Sequence, residues 1–157
     1  RHRDEEASEP RERRKKKEKD EGIRRSQRLL LTWLIERPQL FEKIDGIIGP
    51  DDFKEPLYHE VAQQVFDGHR EGYINPAGIL NRYINDEEQY KQVAALFNAS
   101  LDDSLNNEEQ RKAFSETVLK VKKNSLDEAS RSAADIAALQ EIIKQQAALK
   151  TLQISID

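Results

Sequence analysis

The sequence predicts an all-α fold: a compact helical bundle of about five to six helices, followed by a long helix and a C-terminal helical hairpin. Six of the seven residues from Leu29 to Ile35 are apolar, and a helix that is apolar around its circumference has to be enclosed by other helices. Elsewhere apolar residues recur three or four positions apart and never alternate with polar residues over a strand length. Five Pro and six Gly are too few for a loop-rich β protein.

Helix boundaries follow from proline, glycine and capping residues. We expect the first helix over residues 24–36, because Pro38 disfavours helical geometry at Arg37. A short helix around Phe41 follows, and a third helix begins at Pro56. A fourth helix begins at Pro76 after an Asn75 cap and carries Ile79, Leu80, Tyr83 and Ile84. A fifth helix is capped by Asn85 or Asp86.

The N-terminal segment, residues 1–22, has no large apolar side chain. It contains nine Arg or Lys and eight Asp or Glu, so it cannot bury enough surface to offset its ordering entropy. We expect a disordered charged linker or tail. The basic run at residues 13–17 raises nucleic-acid binding as an alternative, but the acids around it and the net charge of −5 over residues 23–157 argue against DNA as the main partner.

The C-terminal part begins with a long helix opening at Asn106 or Asn107 and running to about Arg131. Its first half should lie on the bundle and its more polar second half should project. A break between Ser130 and Ser132 predicts a last helix capped by Ser132 or Asp135, forming an antiparallel hairpin, with one continuous rod as the alternative. We therefore divide the chain into residues 1–22 as linker, 23–125 as bundle and 126–157 as hairpin.

The last helix carries two apolar faces. One contains Ile136, Leu139, Ile143 and Ala147, and the other contains Ile142, Leu149, Leu152 and Ile156. We expect one face to close the hairpin and the other to be presented to a partner. The sequence leaves open which face is presented.

No residue pattern predicts catalysis, a cofactor or a metal site. The chain has no cysteine, and His59 and His69 are ten residues apart on one predicted helix, so they face different directions. Neither a signal peptide nor a membrane-spanning run is present. Because the chain lacks methionine, we expect it to be a piece of a longer protein.

The segments around the first three helices resemble a known family. They are the Leu-rich helix ending near Arg37-Pro38, Leu40-Phe41, Asp52-Phe53, Pro56-Leu57-Tyr58 and Asn75-Pro76. Over roughly residues 24–125 this pattern is similar to the C-terminal helicase-binding domain of bacterial DnaG-type primases. It also resembles the N-terminal domain of DnaB-type replicative helicases, which has the same fold. The charged segment before residue 24 and the stretch from Val121 to Leu126 favour the primase.

The resemblance implies a non-catalytic interaction domain that docks on the N-terminal domains of the hexameric helicase. It implies a monomer, without strong nucleic-acid binding, in the bacterial cytoplasm at the replication fork. The implied helicase-binding residues, on the hairpin, are Ile136, Leu139, Ile142, Ile143, Gln146, Leu149, Lys150 and Leu152. The alternatives are a collar domain of the helicase itself and a nucleic-acid-binding helical domain that uses the basic segment.

Overall fold

A computed structural model describes residues 10–99, 101 and 104–152, and it confirms the all-α class. Within those ranges there are seven α-helices and no β-strand. The helices are α1 (Arg11–Glu36), α2 (Phe41–Ile44), α3 (Pro56–Arg70), α4 (Pro76–Asn81), α5 (Glu87–Asn98), α6 (Asn107–Arg131) and α7 (Ile136–Leu149). Single 3-10 turns at Pro38–Leu40 and Pro50–Asp52 complete the connections around α2.

The hydrophobic core surrounds the C-terminal half of α1. Leu30, Leu31 and Leu34 are fully buried, as the apolar circumference of this segment predicts. Trp33 is 3% exposed, and its ring meets Phe114 of α6 edge-on with centroids 5.5 Å apart. The enclosing side chains come from α3 (Leu57, Tyr58, Val61, Val65), α5 (Val93, Leu96) and α6 (Phe114, Val118, Val121).

Capping residues set the starts of the later helices. The side chains of Asn75, Asp86 and Asn106 accept hydrogen bonds from backbone N–H groups in the first turns of α4, α5 and α6. At α6 Glu109 also accepts from the Asn106 N–H, which completes a capping box. The structure therefore selects Asp86 and Asn106 among the predicted caps. Helix α4 is shorter than predicted: it ends at Asn81, so Tyr83 and Ile84 lie beyond it.

Helix α1 begins at Arg11, so the predicted start at residue 24 is wrong. Residues 11–22 are helical and exposed, which corrects the expectation of disorder for this part of the linker; residues 1–9 lie outside the described residues. Arg, Lys and Glu are good helix formers. They extend a helix that the core already holds, so no new nucleation is needed.

The prediction that the second half of α6 projects from the bundle is wrong. Asn124, Ser125 and Leu126 are buried, because α1 now reaches far enough to cover them and α7 covers another side. The Ser125 hydroxyl donates to Asp52 Oδ1 at 2.6 Å, and Lys122 Nζ lies 3.2 Å from the same oxygen. The predicted boundary at residue 125 thus falls inside a helix that contacts both parts of the molecule.

Candidate protein-interaction surface

Helices α6 and α7 form an antiparallel hairpin. The Asp135 side chain accepts from the Ala138 N–H at 2.8 Å, so Asp135 rather than Ser132 caps α7. Gln146 Nε2 donates to Asp127 Oδ1 at 3.1 Å. Four residues later, just past the end of α7, Lys150 lines a groove together with Leu119 of α6. Later residues of the C-terminal segment thus lie beside earlier residues of α6. The two helices are therefore antiparallel and do not form one continuous rod.

Asp127 is the polar centre of the hairpin. Its carboxylate accepts from Lys123 Nζ at 2.7 Å, one turn earlier on α6, and from Gln146 across the hairpin. The hydrogen bond from Lys123 is the main cause that lowers the pKa of the Asp127 carboxyl below its ordinary 3.8, against the opposing effect of burial. This pair was not predicted from the sequence, although the four-residue spacing of Lys123 and Asp127 is a signal for it.

One face of α7 closes the hairpin. Ile142, Gln146 and Leu149 are half-buried at three- and four-residue spacing. Leu152, just beyond the helix, contacts the main core, and it lines a 300 Å³ recess with Ile47 and Leu126 among others. Because these side chains cover α6 and the edge of the bundle, only part of each is exposed to a partner.

The neighbouring side of α7 is presented to solvent. Ile136 is 74% exposed, Leu139 36% and Ile143 52%. Their spacing of three and four places them in one row along the helix. Of the seven large hydrophobic side chains that are exposed in the described part of the chain, these three alone occur within eight residues of one helix. A concentrated apolar row of this kind is typical of a protein-interaction surface.

The structure therefore separates the eight predicted helicase-binding residues into two sets. Ile136, Leu139, Ile143 and Lys150 are exposed, whereas Ile142, Gln146, Leu149 and Leu152 are half-buried against α6 and the bundle. The first set therefore offers the larger exposed surface, and helicase binding by any of the eight stays a prediction. The Asp135 cap fixes the start of α7 and hence its rotation, which the sequence left open. We call Ile136, Leu139 and Ile143 the aliphatic row.

Two depressions lie beside the hairpin. The α6–α7 groove, of 520 Å³, has a floor containing Leu119 and Leu149 and a rim containing Lys120, Lys123 and Lys150. The α1–α6 cleft, of 240 Å³, shares Lys120, Lys123 and Asp127 with that groove. The remaining residues lining the cleft are Lys19, Gly22, Ile23, Ser26 and Asn124. Lysines therefore extend from α1 across α6 to the end of α7.

The histidines of α3 have structural contacts. His59 Nδ1 lies 2.9 Å from the Pro50 carbonyl oxygen, which ties the 3-10 turn to α3. The His69 ring stacks on Phe41 with centroids 4.0 Å apart. Over residues 10–99, 101 and 104–152, no group of three or more His, Asp or Glu is arranged to hold a metal ion. The same ranges contain no helix with the length and apolarity to cross a membrane. His2 lies outside them.

Comparisons of the chain with protein families, with curated proteins and with solved structures give no match.

Proposed function

We propose that this chain is a protein-interaction domain that docks on the N-terminal domains of a DnaB-type hexameric helicase. Its parent would be a bacterial primase, and docking would couple primer synthesis to unwinding at the replication fork in the cytoplasm. The sequence resemblance over residues 24–125 and the hairpin that follows it support this proposal. The domain itself would need no cofactor and catalyse no reaction.

The observation that carries the proposal is the aliphatic row on α7. A helix that presents residues i, i+3 and i+7 can lie in an apolar groove of a partner. The row is held in a fixed direction, because the neighbouring side of α7 is packed and Gln146 bonds across to Asp127. A partner therefore meets a preformed ridge, which lowers the ordering cost of binding.

The row can be tested by replacing Ile136, Leu139 and Ile143 together with Ser. We expect the affinity for the N-terminal domains of a bacterial replicative helicase, measured by calorimetry, to fall at least about 30-fold, or about 2 kcal/mol. The melting temperature of the isolated domain should change little, because these side chains are exposed. The matched control replaces Leu29, Ile84 and Tyr90, which are exposed on other elements, and should bind normally.

Unchanged binding of the row variant, or an equal loss in the control, would rule out docking through the row. Sizing chromatography addresses the rival assignment to the helicase itself. A docking domain should be monomeric alone at micromolar concentration, whereas a collar domain should assemble into a ring.

A further inference from the structure

The first nine residues of α1 form an exposed cationic helix, which we call the basic arm (residues 11–19). They include seven Arg or Lys and two Glu, a formal charge of +5. The acids that bring residues 1–22 close to neutrality are mostly outside this stretch. Because the arm is helical, the seven cations occupy about 13 Å of helix axis. A disordered linker would not concentrate them in this way.

Helical register connects the basic arm to the α1–α6 cleft. Lys16 and Lys19 precede Ile23 and Ser26 at spacings of three and four, so all four lie on one side of α1. Lys19, Ile23 and Ser26 line the cleft, and Lys16 continues the same side outwards. The cationic surface thus runs from the arm through the cleft to the Lys120, Lys123 and Lys150 rim of the α6–α7 groove.

The cleft has few groups that would repel an anion. Asp127 is the only carboxylate among its eight lining residues, and it is already bonded to Lys123. At the cleft wall Asn124 is buried, and its Nδ2 has no hydrogen-bond acceptor among the described residues. Because this nitrogen is itself inaccessible, the lysines around the cleft are the groups that an anion would meet.

We propose that the basic arm and the α1–α6 cleft together bind the phosphodiester backbone of nucleic acid. Seven cations on about 13 Å of helix match a polyanion that carries one charge per about 1.7 Å of duplex axis. Residues 10–22 contain no aromatic side chain to stack on a base. The arm would therefore contact phosphates, and phosphate contacts carry no sequence information. This surface is separate from the aliphatic row, and the proposal does not depend on helicase docking.

Two other classes of partner fit the arm less well. A membrane-surface helix needs large apolar side chains to insert below the headgroups, and residues 10–22 have none. A protein interface needs buried apolar or aromatic anchors at its centre, which the same residues lack. A flexible polyanion of high charge density needs only cations and hydrogen-bond donors.

The test measures binding of the whole chain to fluorescein-labelled oligonucleotides of about 20 nucleotides, single-stranded and duplex, by anisotropy between about 50 and 200 mM salt. We expect log K to fall linearly with log salt for more than one base sequence. Replacing Arg13, Lys15 and Lys16 with Gln should reduce the magnitude of the single-strand slope by about 2. Gln keeps the helix propensity, and circular dichroism checks that the helix remains. Lys120→Gln should reduce the slope by about 0.7.

The matched control replaces Arg70, Arg82 and Lys91 with Gln, which removes the same charge from α3, the end of α4 and α5, and it should leave the slope unchanged. No binding at about 50 mM salt, or an equal loss in the control, overturns the proposal. Equal competition by polyglutamate of the same charge also overturns the proposal, because it would indicate an acidic protein as the partner. Binding to phosphatidylserine vesicles without binding to DNA overturns it as well. The Ile136, Leu139 and Ile143 variant should bind DNA normally, so the two surfaces can fail independently.

Discussion

Trp33 and Leu29 are one turn apart on α1, but only Trp33 is buried. The Trp33 ring contacts Phe114 and is 3% exposed, whereas Leu29 is 39% exposed. We expect Trp33→Ala to lower the free energy of unfolding by about 3–5 kcal/mol, because it leaves a large cavity in the core. Leu29→Ala should change it by less than about 0.5 kcal/mol. Urea denaturation measures both, and similar values for the two variants would contradict the proposed core.

Buried polar residues are the part of the core that the sequence could not predict. Gln27 is 1% exposed, and its side-chain oxygen accepts from the Glu55 N–H at 2.9 Å. Asp52, which reads in the sequence as a turn residue, accepts from Ser125 and Lys122. These pairs join residues 28, 73 and 70 positions apart. Apolar spacing identifies which residues are buried, but it contains no information about partners at such distances.

At the scale of the elements, helix ends were predicted well where a short-range chemical signal exists. Pro56, Asn75 and Asp86 mark the starts of α3, α4 and α5 because a cap or a proline acts within three residues. The start of α1 was missed because no capping side chain marks it. The rotation of α7 was missed because Ser132 and Asp135 are both plausible caps, and three residues of difference turn the helix by about 300°.

Two glycines inside helices should respond oppositely to alanine. A Cβ at Gly22 of α1 would meet no atom within 4 Å, whereas one at Gly68 of α3 would lie 2.8 Å from the Tyr73 carbonyl oxygen. We expect Gly22→Ala to stabilise the domain by up to about 1 kcal/mol, because alanine loses less conformational entropy in a helix. Gly68→Ala should destabilise it, because a backbone atom has to shift. Thermal denaturation and helical circular dichroism would detect both changes, and stabilisation by both would show that the close approach at Gly68 is absent.

At the scale of the whole molecule, α1 and α6 hold the core together and α7 is added at one side. The main hydrophobic cluster lies between Leu30 and Val121, so a chain ending at Arg131 should still melt cooperatively, at a lower temperature because Leu126 loses its cover. A chain ending at Asn106 should not fold, because it loses Phe114, Val118 and Val121. Calorimetry of both chains tests this. Loss of cooperativity on removing residues 132–157 alone would mean that the hairpin is part of the folding unit.

Helix α6 has a mechanical consequence. It is 25 residues long, about 37 Å at 1.5 Å per residue, and it has no proline or glycine at which to bend. One end carries Phe114 against Trp33, and the other end carries Asp127 against α7. A force applied to the aliphatic row is therefore transmitted to the core along a continuous hydrogen-bonded helix without a flexible link. Because α6 is stiff, a partner bound to α7 would also fix the orientation of the bundle.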